Sequence, residues 1–134
     1  MQVSENILFY PMFAHVVLTG LLYVLLTIVR APSVWGIGSS KDGSNPMAHI
    51  EPKISANLSN QFEWPLFFYV ICLILMLDGN EISTRAIFLA WLFIFGRIIH
   101  STVHIFTNNI RLRGVVFTLN FLAVLFMWFN YFFE

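Results

Sequence analysis

Four apolar runs, near residues 7–29, 57–77, 86–106 and 114–133, alternate with polar stretches along the chain. A helix needs about 20 apolar residues to cross the hydrocarbon core of a bilayer, and each run reaches that length. The pattern predicts an all-α fold, an integral membrane four-helix bundle forming one domain over 1–134. The first run is expected to remain as a span. No Lys or Arg precedes it, it is long for the apolar part of a signal peptide, and no small-x-small site follows before Arg30. The stretch 31–56 holds Pro32, Gly36, Gly38, Gly43, Pro46 and Pro52, which predicts an irregular loop. Within it Gly38-Ser39-Ser40-Lys41-Asp42-Gly43 lacks the glycine spacing of a phosphate loop, and no strand precedes it. Asp78-Gly79-Asn80 predicts a tight turn, making the second and third runs antiparallel neighbours. Ser83 is placed to cap the third helix.

The polar interruptions carry the chemistry. Arg97, His100, His104, Asn108 and Arg111 follow one another at offsets of three, four, four and three, which predicts one face of a single helix. An ionisable group in a membrane segment is costly unless it faces a partner, a cavity or a ligand. Antiparallel pairing sets Asn57, Asn60, Gln61 and Glu63 of the second run at the depth of this ladder. At 1.5 Å per residue, Glu63 and Arg97 fall roughly 10 Å below the same end of their spans, so an ion pair between them is expected. His100 and His104 make an HxxxH spacing, which suits hydrogen bonding to a ligand or a metal held with a third group such as Glu63. His15, inside the first run, is expected to be satisfied by neighbours, and His49 lies in the loop.

Composition narrows the class. Hydrophobic residues make up 58% of the chain and charged residues 10%, against roughly a quarter charged in soluble domains. Seven basic and seven acidic residues cancel, leaving no basic field for nucleic acid. Arg30, Lys41, Lys53, Arg111 and Arg113 flank the spans on one side and Arg85 flanks them on the other, so loops 31–56 and 107–113 are expected to be cytoplasmic, with both termini opposite. Arg113 suits anchoring beside lipid head groups. The single cysteine, Cys72, reads as a small buried hydrophobe. Phe126, Trp128, Phe129, Tyr131, Phe132 and Phe133 read as an aromatic belt at the lipid interface.

Asn60-Gln61-Phe62-Glu63-Trp64-Pro65 resembles the NxxE segment and following proline of the second helix of the MAPEG family, the membrane-associated proteins in eicosanoid and glutathione metabolism. Arg97, His100, His104, Asn108-Asn109 and Arg111 resemble the third-helix pattern of its bacterial members, and the likeness covers nearly the whole chain. It implies a homotrimer with sites between subunits and glutathione as co-substrate. Carried over, Asn60 and Glu63 bind the tripeptide with Arg97, His100 and His104 beside them, and Arg111 stabilises the thiolate. Three positions depart from the family pattern. Ala56 stands where glutathione-using members have an arginine, with Lys53 one turn earlier, and His100 and His104 stand where those members tend to have tyrosines. The resemblance thus implies a glutathione-dependent transferase or peroxidase for lipophilic electrophiles, with membrane lipid around it. A non-catalytic lipid-binding or membrane-complex accessory module on the same fold is the alternative.

Overall fold

The computed structural model describes residues 6–133. The described residues form α1 (Phe9–Trp35), α2 (Glu51–Asn60), α3 (Pro65–Leu77), α4 (Thr84–Phe106) and α5 (Ile110–Phe133). α2 and α3 run on as one crossing, so four segments are long and apolar enough to span a bilayer. Large apolar side chains crowd the outside, among them Phe13 at 68% and Phe132 at 70% exposure. Such a surface suits hydrocarbon and would aggregate in water.

Local chemistry moves several helix ends away from the limits of the apolar runs. α1 continues through Pro32 to Trp35, and Gly36 then closes it in the left-handed region at φ 71°. Its N–H donates to the Pro32 carbonyl at 3.1 Å, a glycine helix stop. The loop is accordingly shorter than expected, over 36–50. There Asp42 Oδ1 accepts from the Ser44 N–H and hydroxyl, and the hydroxyl bond leads in holding this carboxyl below its usual range. Ser83 caps α4 by accepting the Ala86 N–H at 3.2 Å. At the start of α5 the Asn109 side chain accepts the Leu112 N–H at 3.0 Å, so this helix begins before its apolar run and contains both Arg111 and Arg113.

The second crossing is broken. Pro65 has no N–H to give to the Gln61 carbonyl, and its ring crowds that carbonyl. Around the break, Gln61, Phe62, Leu66 and Phe67 instead donate to carbonyls three residues earlier. These tighter turns shift the helical phase between α2 and α3.

Packing divides into two apolar clusters with a polar layer between them. Toward one end Phe68, Ile71 and Cys72 pack with Ala90, Phe93 and Ile94 of α4 and with Ala123, Val124 and Met127 of α5. Toward the other, Leu22, Leu26 and Val29 of α1 pack with Ile54 and Leu58 of α2 and Ile105 of α4. Between the clusters lie buried His15, Asn57, Gln61, Arg97, His100, Ser101 and Asn120. α4 and α5 make the closest helix pair: a Cβ added to Gly96 would overlap the Asn120 side chain. Small residues permit such approach in membranes, where van der Waals contact replaces the hydrophobic drive.

Candidate functional site

Gln61 is the hub of the polar layer. Its Oε1 accepts from Arg97 Nε at 3.2 Å and lies 2.9 Å from His15 Nε2. Its Nε2 donates to the Asn57 carbonyl and to Asn57 Oδ1, each at 3.2 Å, and to Ser101 Oγ at 3.3 Å. Arginine only donates and a backbone carbonyl only accepts, so the amide has one allowed orientation. Consequently His15 donates through Nε2, and its Nδ1 accepts from the Tyr69 hydroxyl at 2.8 Å. The Tyr69 oxygen also lies 3.3 Å from the Met12 carbonyl. This connected set ties α1, α2, α3 and α4 together.

Toward α5 the layer is incompletely satisfied. Among the described residues, Nη2 of Arg97, Nδ1 of His100, Nε1 of Trp64 and both amide atoms of Asn120 are buried without a hydrogen-bond partner. Each such group costs about 1–3 kcal/mol when left unpaired. Next to them two cavities adjoin. One, about 330 Å³, is lined by Asn60, His100, His104, Ile110, Arg113, Gly114 and Phe117. The other, about 210 Å³, shares His104, Ile110 and Arg113 with it and adds Lys53 and the 107–109 connection. Lys53 Nζ donates to Asn108 Oδ1 at 2.6 Å and to the Thr107 carbonyl at 3.3 Å, tying α2 to that connection. The His100 and His104 rings meet edge to face, 5.8 Å between centroids. No acidic side chain lines either cavity, so the paired space is basic and suits an anion.

Of the residues picked out from sequence, Asn60, His100 and His104 come together here, with Lys53 and Asn108 at the edge. Arg97 is deeper, 1% exposed, and binds Gln61 where an ion pair with Glu63 was expected. The phase shift at Pro65 accounts for the difference: Glu63 lies in the break and is exposed. The ladder is not one helix either. α4 ends at Phe106, so Asn108 belongs to the connection and Arg111 to α5. Arg111 is exposed, and Arg113, read from sequence as a lipid anchor, lines both cavities. Near the two histidines no third metal ligand is assembled: among the described residues no group of three or more His, Cys, Asp or Glu converges.

Ser101 and Asn120 were not picked out from the sequence, and Gln61 was placed at the depth of the ladder without a role. Signals existed for the first two: Ser101 stands four residues after Arg97, and Asn120 is a lone amide in the middle of an apolar run. On the opposite side of the polar layer, a largely apolar cleft of about 410 Å³ lies between α1 and α3, with His15, Gln61 and Tyr69 among its lining.

A bundle of four apolar crossings around a buried polar layer defines an integral, multi-pass helical membrane protein in contact with lipid. Residues 8–133 match the MAPEG family. The chain belongs to that family. No curated protein and no solved structure matches it.

Proposed function

We propose that the protein is a membrane-embedded, glutathione-dependent transferase or peroxidase acting on lipophilic electrophiles. The observation that carries this reading is the pair of adjoining basic cavities lined by Asn60, His100, His104, Lys53 and Arg113. Glutathione brings two carboxylates and a thiol, and a space with two fixed cations, two imidazoles and an amide complements it. The unpartnered Arg97 Nη2 and His100 Nδ1 nearby favour a polar ligand at this depth. Family membership favours the same ligand. In the homotrimer that the resemblance implies, exposed Glu63 and Arg111 would meet a neighbouring copy and complete the walls.

The chemistry needed is modest. A guanidinium beside the sulfur stabilises the thiolate and lowers the thiol pKa. The thiolate then attacks the electrophilic carbon; a sulfur–carbon bond forms as the leaving group departs with its bonding pair. With a hydroperoxide, two thiols supply two electrons and two protons, giving a disulfide, an alcohol and water. Lipophilic substrate reaches the sulfur from the bilayer, and holding the two together supplies much of the rate. For the guanidinium, Arg111 occupies the position that the resemblance assigns, whereas within one chain the geometry favours Arg113. Conjugation of a model electrophile by purified wild type, Arg113→Ala and Arg111→Ala tests the reading: activity lost in Arg113→Ala supports it, and wild type inert toward electrophiles and hydroperoxides alike overturns it.

The second reading, a non-catalytic module binding lipid or accompanying a membrane complex, draws on the 410 Å³ apolar cleft. A stoichiometric lipid in the purified protein, with no glutathione bound, would favour it.

A further inference from the structure

The hydrogen bonds of the polar layer reach beyond Gln61. Because Asn57 Oδ1 accepts from Gln61 Nε2 at 3.2 Å, the other atom of that amide, Nδ2, faces His104, 3.4 Å from its Nδ1. Turning the Asn57 amide over would set two N–H donors against each other. Nδ2 can only donate, so Nδ1 of His104 accepts and the neutral ring carries its proton on Nε2. The chain of constraint therefore runs from Arg97, which can only donate, through the Gln61 amide and the Asn57 amide to a histidine lining both basic cavities.

We propose that Gln61 is a positioning residue, which through Asn57 holds His104 in the Nε2–H tautomer and so presents a hydrogen-bond donor to a ligand in the basic cavities. Which nitrogen of a histidine is protonated is set by what the other nitrogen meets. Here that setting is delivered across two helices, from Arg97 of α4 through Gln61 and Asn57 at the end of α2 and back to α4. Gln61 is 2% and Asn57 0% exposed, so water does not compete for either amide. Gln61 does not line the basic cavities and acts on them only through Asn57. A donor at Nε2 suits a carboxylate or a thiolate, which have no proton to give. That last step rests on the glutathione reading; the tautomer lock itself does not.

Gln61→Glu separates these claims. A carboxylate at this position still accepts from Arg97 and His15, which keeps the bundle paired, yet it has no N–H for Asn57. Ring-nitrogen NMR of histidine-labelled full-length protein, assigned with His104→Ala, reads the tautomer without any ligand. Wild type is expected to show His104 as Nε2–H alone. Gln61→Glu is expected to shift His104 toward the Nδ1–H tautomer, because Asn57 turns its Nδ2 to the carboxylate and its Oδ1 to the ring, whereas Asn57→Ala, one link nearer, is expected to show a mixture of both tautomers. Glutathione affinity should fall about tenfold in Gln61→Glu, the loss of one hydrogen bond to a charged group, and only about twofold in Asn57→Ala, where roughly half the molecules still present the donor. An unchanged His104 signature in Gln61→Glu, whatever Asn57→Ala shows, overturns the positioning role. If wild type binds no glutathione, the proposed function falls, while the tautomer comparison still decides what Gln61 does.

Discussion

Arg113 and Arg111 are two residues apart, yet they differ in what they can reach. Two positions on a helix are separated by roughly 200°, and only Arg113 faces the His100 and His104 side of α5. Extending the ladder of α4 to Arg111 assumed a continuous helix, whereas 107–109 are not helical. The register that decides which arginine points inward is that of α5, set by the Asn109 cap. On the proposed reading, replacing the inward guanidinium by alanine would remove a cation beside the thiolate of bound glutathione, and the thiol pKa would rise. Arg113→Ala is expected to move the midpoint of thiolate absorbance up by about 1–3 pH units, and Arg111→Ala by less. The reverse order would return the role to Arg111 and to a site completed by a neighbouring copy. Lys53, by contrast, was legible from sequence as a spare charge near Ala56, and its bonds to Thr107 and Asn108 place it at the edge of the basic space.

Helices were read well where periodicity alone decides them and less well where a proline or a cap intervenes. Arg97, His100 and His104 share one inward face, the first two buried and the third half-buried, because three- and four-residue offsets stay in phase along α4. The same arithmetic failed from Asn60 to Glu63, since Pro65 breaks the helix between α2 and α3 and turns the glutamate outward. Gln61 takes its place as the partner of Arg97. The pairing of α4 with α5 rests on Gly96, whose missing side chain admits Asn120. Gly96→Ala should force these helices apart at a cost of about 1–3 kcal/mol, seen as a lower thermal midpoint in detergent; an unchanged midpoint would show that Asn120 moves aside freely. Ser83→Ala removes the α4 cap bond and should cost about 1 kcal/mol, with no effect on ligand binding.

At the scale of the whole molecule, the polar layer separates two apolar clusters and opens on the α5 side. Four crossings were legible from hydropathy because the bilayer sets a length that few other constraints mimic. The site was legible only in outline, since its walls depend on the phase of three helices and on which polar groups pair with one another. The basic residues at one end of the bundle set the expectation that loops 31–56 and 107–113 face the cytoplasm, and labelling tests it. A thiol introduced by Ser40→Cys in the exposed loop should react with an impermeant reagent only from the cytoplasmic face, against no background from the fully buried Cys72; labelling from outside would invert the topology. The most direct test of the central claim is titration of the detergent-purified protein with glutathione, followed by ultraviolet difference absorbance of the thiolate. Binding with a thiolate signal at neutral pH, lost in Arg113→Ala, is the predicted result. No binding at millimolar glutathione would contradict the account and mean that the basic cavities serve another ligand.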